Sequence, residues 1–133
     1  MTLTSRLDPT LPTKRATGLT RLWKALGYSI NGLRSSYRYE EAFRQEVLLG
    51  AFLIPLAFVM PVSSLGKLLL VGSVLLVWIT ELLNSAVEAV VDRVSMEYHE
   101  LAKHAKDAGS AAVFVSLLFC LMVWVWILSD RFF

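Results

Sequence analysis

Three apolar stretches alternate with polar segments along the chain: Val47 to Val62, Leu68 to Val91 and Ala111 to Leu128. The first is short. Sixteen helical residues reach about 24 Å against a hydrocarbon core of about 30 Å, so it must borrow neighbours from Gln45–Glu46 or from Ser63–Leu65. The pattern therefore predicts membrane spans over about 44–65, 68–91 and 111–128. Pro55 is expected to kink the first. Ser63 to Lys67 is expected to form a tight turn, Asp92 to Ser110 a polar connection, and Ser129 to Phe133 a short tail. Upstream, Leu19, Leu22, Trp23, Leu26, Ile30, Leu33 and Tyr37 recur at helical spacing with Arg21, Lys24, Arg34 and Arg38 between them. This predicts an amphipathic surface helix over 18–39, with Gly27 and Gly32 as possible breaks. Residues 1–17 hold Pro9 and Pro12 and no apolar period, and are expected to be a disordered lead rather than a signal peptide.

The second span carries the pattern's main irregularity. Leu68 to Thr80 has no charge; then Glu81, Asn84, Glu88 and Asp92 appear. With Glu81 at zero, the other three fall near about −60°, −20° and +20° around a helix. Four polar side chains thus share one stripe. A carboxylate at membrane depth costs about 2.5–3.5 kcal/mol on insertion scales and marks a functional site by default.

Composition agrees with a membrane protein. The 133 residues are 56% hydrophobic, with mean hydropathy +0.57, more apolar surface than a small soluble domain can bury. One domain is expected. A net charge of +2 gives no reason to invoke nucleic acid. The single cysteine, Cys120, excludes an internal disulfide and reads as a core or lipid-facing residue. The basic residues are unevenly placed: eight precede the first span, Lys67 follows it, three lie between the second and third spans, and Arg131 is in the tail. The side holding the N-terminus and the second connection is therefore cytoplasmic by the positive-inside rule, with the C-terminus outside. The stripe descends from that side into the membrane.

Acids facing the cytoplasm from inside a membrane can meet a soluble anion and a lipid together. Glu88, near the interface, suits Mg²⁺; Glu81, deeper, suits a base for a lipid hydroxyl; Lys106 suits a phosphate contact. No P-loop or Gly-rich nucleotide motif is present. These residues alone leave open a proton or cation path, and also a structural pairing of acids across an oligomer interface. Taken singly, Asn84 suits helix packing as well as ligand binding, and His104 reads as solvated. Trp23, Trp78, Trp124 and Trp126 read as belt or packing residues.

Three runs decide more: Glu81-Leu-Leu-Asn84-Ser-Ala-Val-Glu88-Ala-Val-Val-Asp92-Arg93, then Glu97-Tyr98-His99-Glu100, then Ala105-Lys106-Asp107-Ala-Gly109-Ser110. With Gly32-Leu33-Arg34 and Glu41-Ala-Phe-Arg44-Gln45-Glu46 upstream, the chain from about Gly18 to Leu128 resembles the small integral-membrane diacylglycerol kinases of bacteria. The resemblance implies an all-α homotrimer of three-span subunits, each with an N-terminal surface helix. It implies transfer of the γ-phosphate of MgATP to diacylglycerol, giving phosphatidic acid, at sites shared between subunits. Undecaprenol kinases share the Glu-x-x-Asn core, but the Glu-Ala-Phe-Arg-Gln-Glu and Glu-Tyr-His runs favour diacylglycerol.

Carried over by position, the resemblance makes Glu81 the proton acceptor. Glu88 and Glu40 become the metal ligands and approach ATP. Glu40 and Glu41 stand in tandem, and the ungapped match selects Glu40. ATP contacts fall on Arg21 and Tyr28, on Glu97, Tyr98 and His99, and on Lys106 and Asp107. Lipid contacts fall on Arg21, Arg34, Ser35, Arg44, Gln45 and Glu46, and on Glu81, Asn84 and Ser110. The end of the third span, Trp124, Val125, Trp126, Ile127, Leu128 and Ser129, is expected to line the lipid groove. Tyr39 stands where the family often has Asn.

Overall fold

The computed structural model describes residues 18–94 and 99–133. The proposed lead, residues 1–17, lies outside them, as do Glu97 and Tyr98. The described residues form four helices, α1 (Leu19–Tyr39), α2 (Glu41–Val59), α3 (Ser64–Val94) and α4 (Glu100–Phe132). The chain divides into two compact units, one ending at Leu33 and one running from Arg34 to Phe133.

Helix α1 is amphipathic and continuous through Gly27 and Gly32, so neither glycine breaks it. Both positions are open, with nothing near enough to meet an added Cβ, and the surrounding helix formers carry the turn. A single residue, Glu40, separates α1 from α2. Its backbone is extended while its N–H still closes on the Ser36 carbonyl at 2.8 Å. The α2 helix passes through Pro55 without interruption, as membrane helices can where neighbouring groups absorb the lost N–H.

The apolar pattern marked where spans lie better than where helices stop. Helix α2 ends at Val59, six residues before the expected limit of its span, at a turn containing Pro61. Ser63 then caps α3, its Oγ accepting from Gly66 N–H at 3.1 Å. The turn expected over Ser63 to Lys67 is therefore mostly helix. Helices α3 and α4 have 31 and 33 residues, about 46 and 50 Å long, and so exceed a hydrocarbon core of about 30 Å. The excess takes up most of the polar stretch expected between the spans, and the tail to Phe132. Three helices, α2, α3 and α4, are long and apolar enough to cross a membrane.

Helix α3 is the spine. It packs against α2 on one side and α4 on the other, antiparallel to both. Lys67 Nζ donates to the Phe58 carbonyl at 2.8 Å, and Trp78 Nε1 to the Glu46 carbonyl at 3.0 Å. On the α4 side, Ser73 Oγ donates to Cys120 Sγ at 3.4 Å, and Asp92 meets Lys106 at 2.7 Å. Ala57, Met60, Leu70, Val74 and Trp124 form the buried core. It sits toward the Pro61 end, where Arg131 Nε also holds the Pro61 carbonyl at 2.6 Å.

Leu70 is fully buried in that core. In lipid the gain from burying apolar surface is absent and packing remains. Leu70→Ala is expected to cost about 1–2 kcal/mol, the packing share of the usual core penalty. SDS titration of the micellar protein reads this.

Candidate active site

The site grows from the last four turns of α3. Glu81 is buried, at 5% exposure; Asn84 and Glu88 are half-buried; Asp92 is exposed. The stripe thus runs from the packed interior to the surface. Asn84 Nδ2 donates to Glu88 Oε1 at 3.4 Å, one turn on. This fixes the amide so that Oδ1 points away from Glu88, and Oδ1 is buried with no partner among the described residues.

Helix α4 closes over that amide at Gly109. A Cβ there would lie 2.2 Å from Asn84 Oδ1, so a larger residue would have to displace the amide from this position. Farther out, Lys106 pairs with Asp92 and Lys103 with Asp107. All four side chains are substantially exposed, so these pairs add little stability; they hold cations and anions together at the mouth of the stripe. His99 caps α4, its Nδ1 accepting from Leu101 N–H at 3.2 Å. That bond assigns the proton to Nε2 and leaves an N–H donor on the ring's other side.

Helix α2 supplies the other wall. Glu46 is half-buried, and its Oε2 has no partner among the described residues. It lies within electrostatic reach of Glu81, which also feels Glu88 and Glu40. Glu40 is half-buried at the α1–α2 break, whereas Glu41 is exposed and accepts from Gln45 Nε2 at 3.3 Å. Three carboxylates, Glu46, Glu88 and Glu40, therefore surround Glu81. No three His, Cys, Asp or Glu side chains among the described residues form a closed metal cage.

The model of the prokaryotic diacylglycerol kinases matches residues 27–128. The chain belongs to that family. It is 52% identical to a diacylglycerol kinase of Pseudomonas aeruginosa over 117 residues, 88% of this chain and 95% of that one. It is 47% identical to a diacylglycerol kinase of Escherichia coli K12 over 116 residues, 87% and 95% of the two chains. With one from Haemophilus influenzae the identity is 49% over 110 residues, 83% and 93%. Family and apolar helices together make this a bacterial membrane protein.

The other positions named from the sequence divide by location. Arg21 and Tyr28 are exposed on α1, in the first unit. Arg34 and Ser35 are exposed at the start of the second. Arg44 reaches back to cap the end of α1, with Nη1 at 3.5 and 3.4 Å from the Tyr37 and Arg38 carbonyls. Gln45 and Ser110 are exposed. Trp124 to Ser129 sit near the other end of α4. Trp124 is buried in the core there, while Val125 and Trp126 face outward. Within one chain these six residues lie well away from Glu81. Two contacts escaped the sequence reading, those of Trp78 and Gly109. Trp78 packs, as expected, and its Nε1 also donates to the α2 backbone. Gly109 stands in the Ala105–Ser110 run, but its contact with the Asn84 amide depends on how α3 and α4 pack.

Gly109→Ala is expected to push Asn84 off Glu88 and loosen α3 from α4. The double variant Gly109→Ala/Asn84→Ala should recover most of the loss, because the clash needs both groups. Double-mutant analysis of SDS unfolding reads a coupling of about 1–2 kcal/mol.

Proposed function

We propose that this chain is an ATP-dependent diacylglycerol kinase of the bacterial inner membrane. The observation that carries the reading is a buried carboxylate, Glu81, in an apolar helix, with Asn84 and Glu88 stepping outward from it. Family membership and the printed names of the relatives support the same reaction class, phosphoryl transfer to an alcohol. Residues 18–133 act as a single kinase domain, with the N-terminus and the α3–α4 connection cytoplasmic. Eleven of the thirteen basic residues lie on that side.

The chemistry follows from the depth of each group. The hydroxyl oxygen of diacylglycerol attacks the γ-phosphorus of ATP. The bond from that phosphorus to the β–γ bridging oxygen breaks, ADP leaves, and the hydroxyl proton passes to Glu81. A carboxylate packed among apolar side chains suits this step, because water does not compete for the lipid hydroxyl. Asn84 and Glu46 flank Glu81 and orient the lipid head. Ser110 and Gln45 would contact the lipid as well, with Arg34, Ser35 and Arg44 reaching it from either side of the α1–α2 break.

Glu88 and Glu40 would hold Mg²⁺. Two carboxylates without a third suit this ion, which usually takes one or two from protein and completes its shell with phosphate oxygens. When bound, it neutralises charge on the phosphates. Lys106, Asp107, His99 through its Nε2–H, Glu97 and Tyr98 would contact the nucleotide from the α3–α4 connection, and Arg21 and Tyr28 from α1. A homotrimer with sites between subunits is part of the proposal. Helix α4 leaves most of its apolar surface uncovered by its own chain, and Trp124 to Ser129 can reach a lipid groove only if a neighbouring subunit supplies its other wall.

Transfer of labelled phosphate from ATP to diacylglycerol in mixed micelles tests the reading; a wild-type protein inert toward diacylglycerol would overturn it. Glu81→Gln is expected to lower turnover about 10²- to 10⁴-fold, and unchanged turnover removes Glu81 from the base role. Undecaprenol as a parallel substrate separates the two alcohols. Glu88→Gln should shift the Mg²⁺ titration of activity to higher concentration while leaving KM for diacylglycerol unchanged.

A further inference from the structure

Helices in lipid have little to fix how far one slides along another, because apolar contacts between them resemble contacts with lipid. Between α2 and α3 two polar contacts break that degeneracy: Lys67 on the Phe58 carbonyl at the Pro61 end, and one contact at the Glu46 end. Trp78 Nε1 donates to the Glu46 carbonyl at 3.0 Å. In the α2 ladder that carbonyl already pairs with the N–H of Gly50, four residues on, and a carbonyl oxygen has a second lone pair for the indole. The indole crosses α2 at Gly50. A Cβ on Gly50 would lie 2.5 Å from Trp78 Cζ2 and 3.0 Å from Val74 Cγ1, so the crossing requires glycine. Trp78 also stands three residues before Glu81, less than one turn of α3.

The Glu46 side chain depends on this contact. Its Oε2 is buried and meets no donor among the described residues, so the α2 backbone sets its place. The backbone atom gripped by Trp78 belongs to the same residue. A cavity of about 40 Å³, lined by Glu46, Gly50, Val74, Trp78, Leu117 and Cys120 among others, lies alongside. It gives the carboxylate room to shift if the grip is lost.

We propose that Trp78, seated in the Gly50 notch, is a positioning residue for the kinase reaction. Its indole N–H holds the Glu46 end of α2 in register with α3 and so presents the Glu46 carboxylate beside Glu81, where the lipid hydroxyl reacts. The inference rests on the proposed role of Glu81. It assigns Trp78 to the lipid half of the site and not to the nucleotide half.

Steady-state kinetics of the full chain in mixed micelles tests it, with diacylglycerol and MgATP varied separately. Trp78→Phe keeps an aromatic ring, smaller than the indole, and removes the N–H. It is expected to lower kcat/KM for diacylglycerol about fivefold to tenfold, the usual weight of one hydrogen bond, with KM for ATP unchanged. Gly50→Ala should impair the Trp78 protein in the same way, yet change little in a Trp78→Met background, where no indole needs the notch. Unchanged diacylglycerol kinetics in Trp78→Phe would overturn the inference. So would an equal loss toward both substrates with a lowered melting temperature, because that is the mark of a structural role alone. A wild-type protein inactive on diacylglycerol would instead remove the proposed function, and this inference with it.

Discussion

A carboxylate inside an apolar helix is the constraint around which the structure is arranged. Glu81 is buried, and hydrocarbon offers it neither water nor hydrogen-bond donors. The chain accommodates it by surrounding it with other polar groups rather than with a counter-charge. Glu46 approaches from α2, Asn84 and Glu88 follow on α3, and Glu40 lies at the α1–α2 break. Like charges so close are unfavourable together unless protons, cations or ligands are shared among them. Lys106 reaches Glu88 electrostatically at the outer edge, but among the described residues Glu81 and Glu46 make no ion pair, and such acids suit a transient cation.

That arrangement needs close helix approach, and two glycines provide it. Gly109 lets α4 lie against the Asn84 amide; Gly50 lets α2 lie against the Trp78 ring. Both meet α3 within two turns of Glu81. The larger apolar side chains gather at the Pro61 end, around Leu70 and Trp124. The molecule thus has a tightly packed end built from bulk and a polar end built from small residues and amides. Membrane helices lack the hydrophobic drive of soluble cores, so packing and hydrogen bonds determine where they touch. Small residues beside polar ones place those contacts where the chemistry is needed.

Much of this was legible in the sequence. The three spans and the surface helix followed from period and apolar length, and the Glu81 stripe from a 100° step. Helix ends were harder. The stretch from Asp92 to Ser110 is polar, and polarity predicts exposure, not loop. Most of it is helix because Glu100 to Ser110 continues α4 out of the apolar region, capped by His99. Glu40 and Glu41 look alike in the sequence and differ only in three dimensions, where Glu40 is half-buried and Glu41 is exposed and engaged by Gln45. Trp78 was beyond reach for another cause. An indole among leucines and valines reads as bulk, and its N–H acquires meaning only from the carbonyl of a different helix, 32 residues earlier.

Buried polar atoms are nearly always hydrogen-bonded, so the exceptions carry information. Among the described residues they are Glu46 Oε2, Asn84 Oδ1 and Trp124 Nε1. The first two are acceptors and flank Glu81 from α2 and α3. Two unfilled acceptors beside a buried carboxylate call for donors, and a lipid glycerol head with its hydroxyl is such a donor. Trp124 Nε1 is the reverse case, a donor at the far end of α4 within the apolar core. The described residues supply it with no acceptor, although an indole N–H in hydrocarbon normally finds one. The acceptors left over at one end thus suit a substrate, and the donor left over at the other suits an acceptor from outside the chain, as a membrane enzyme assembled from several copies can provide.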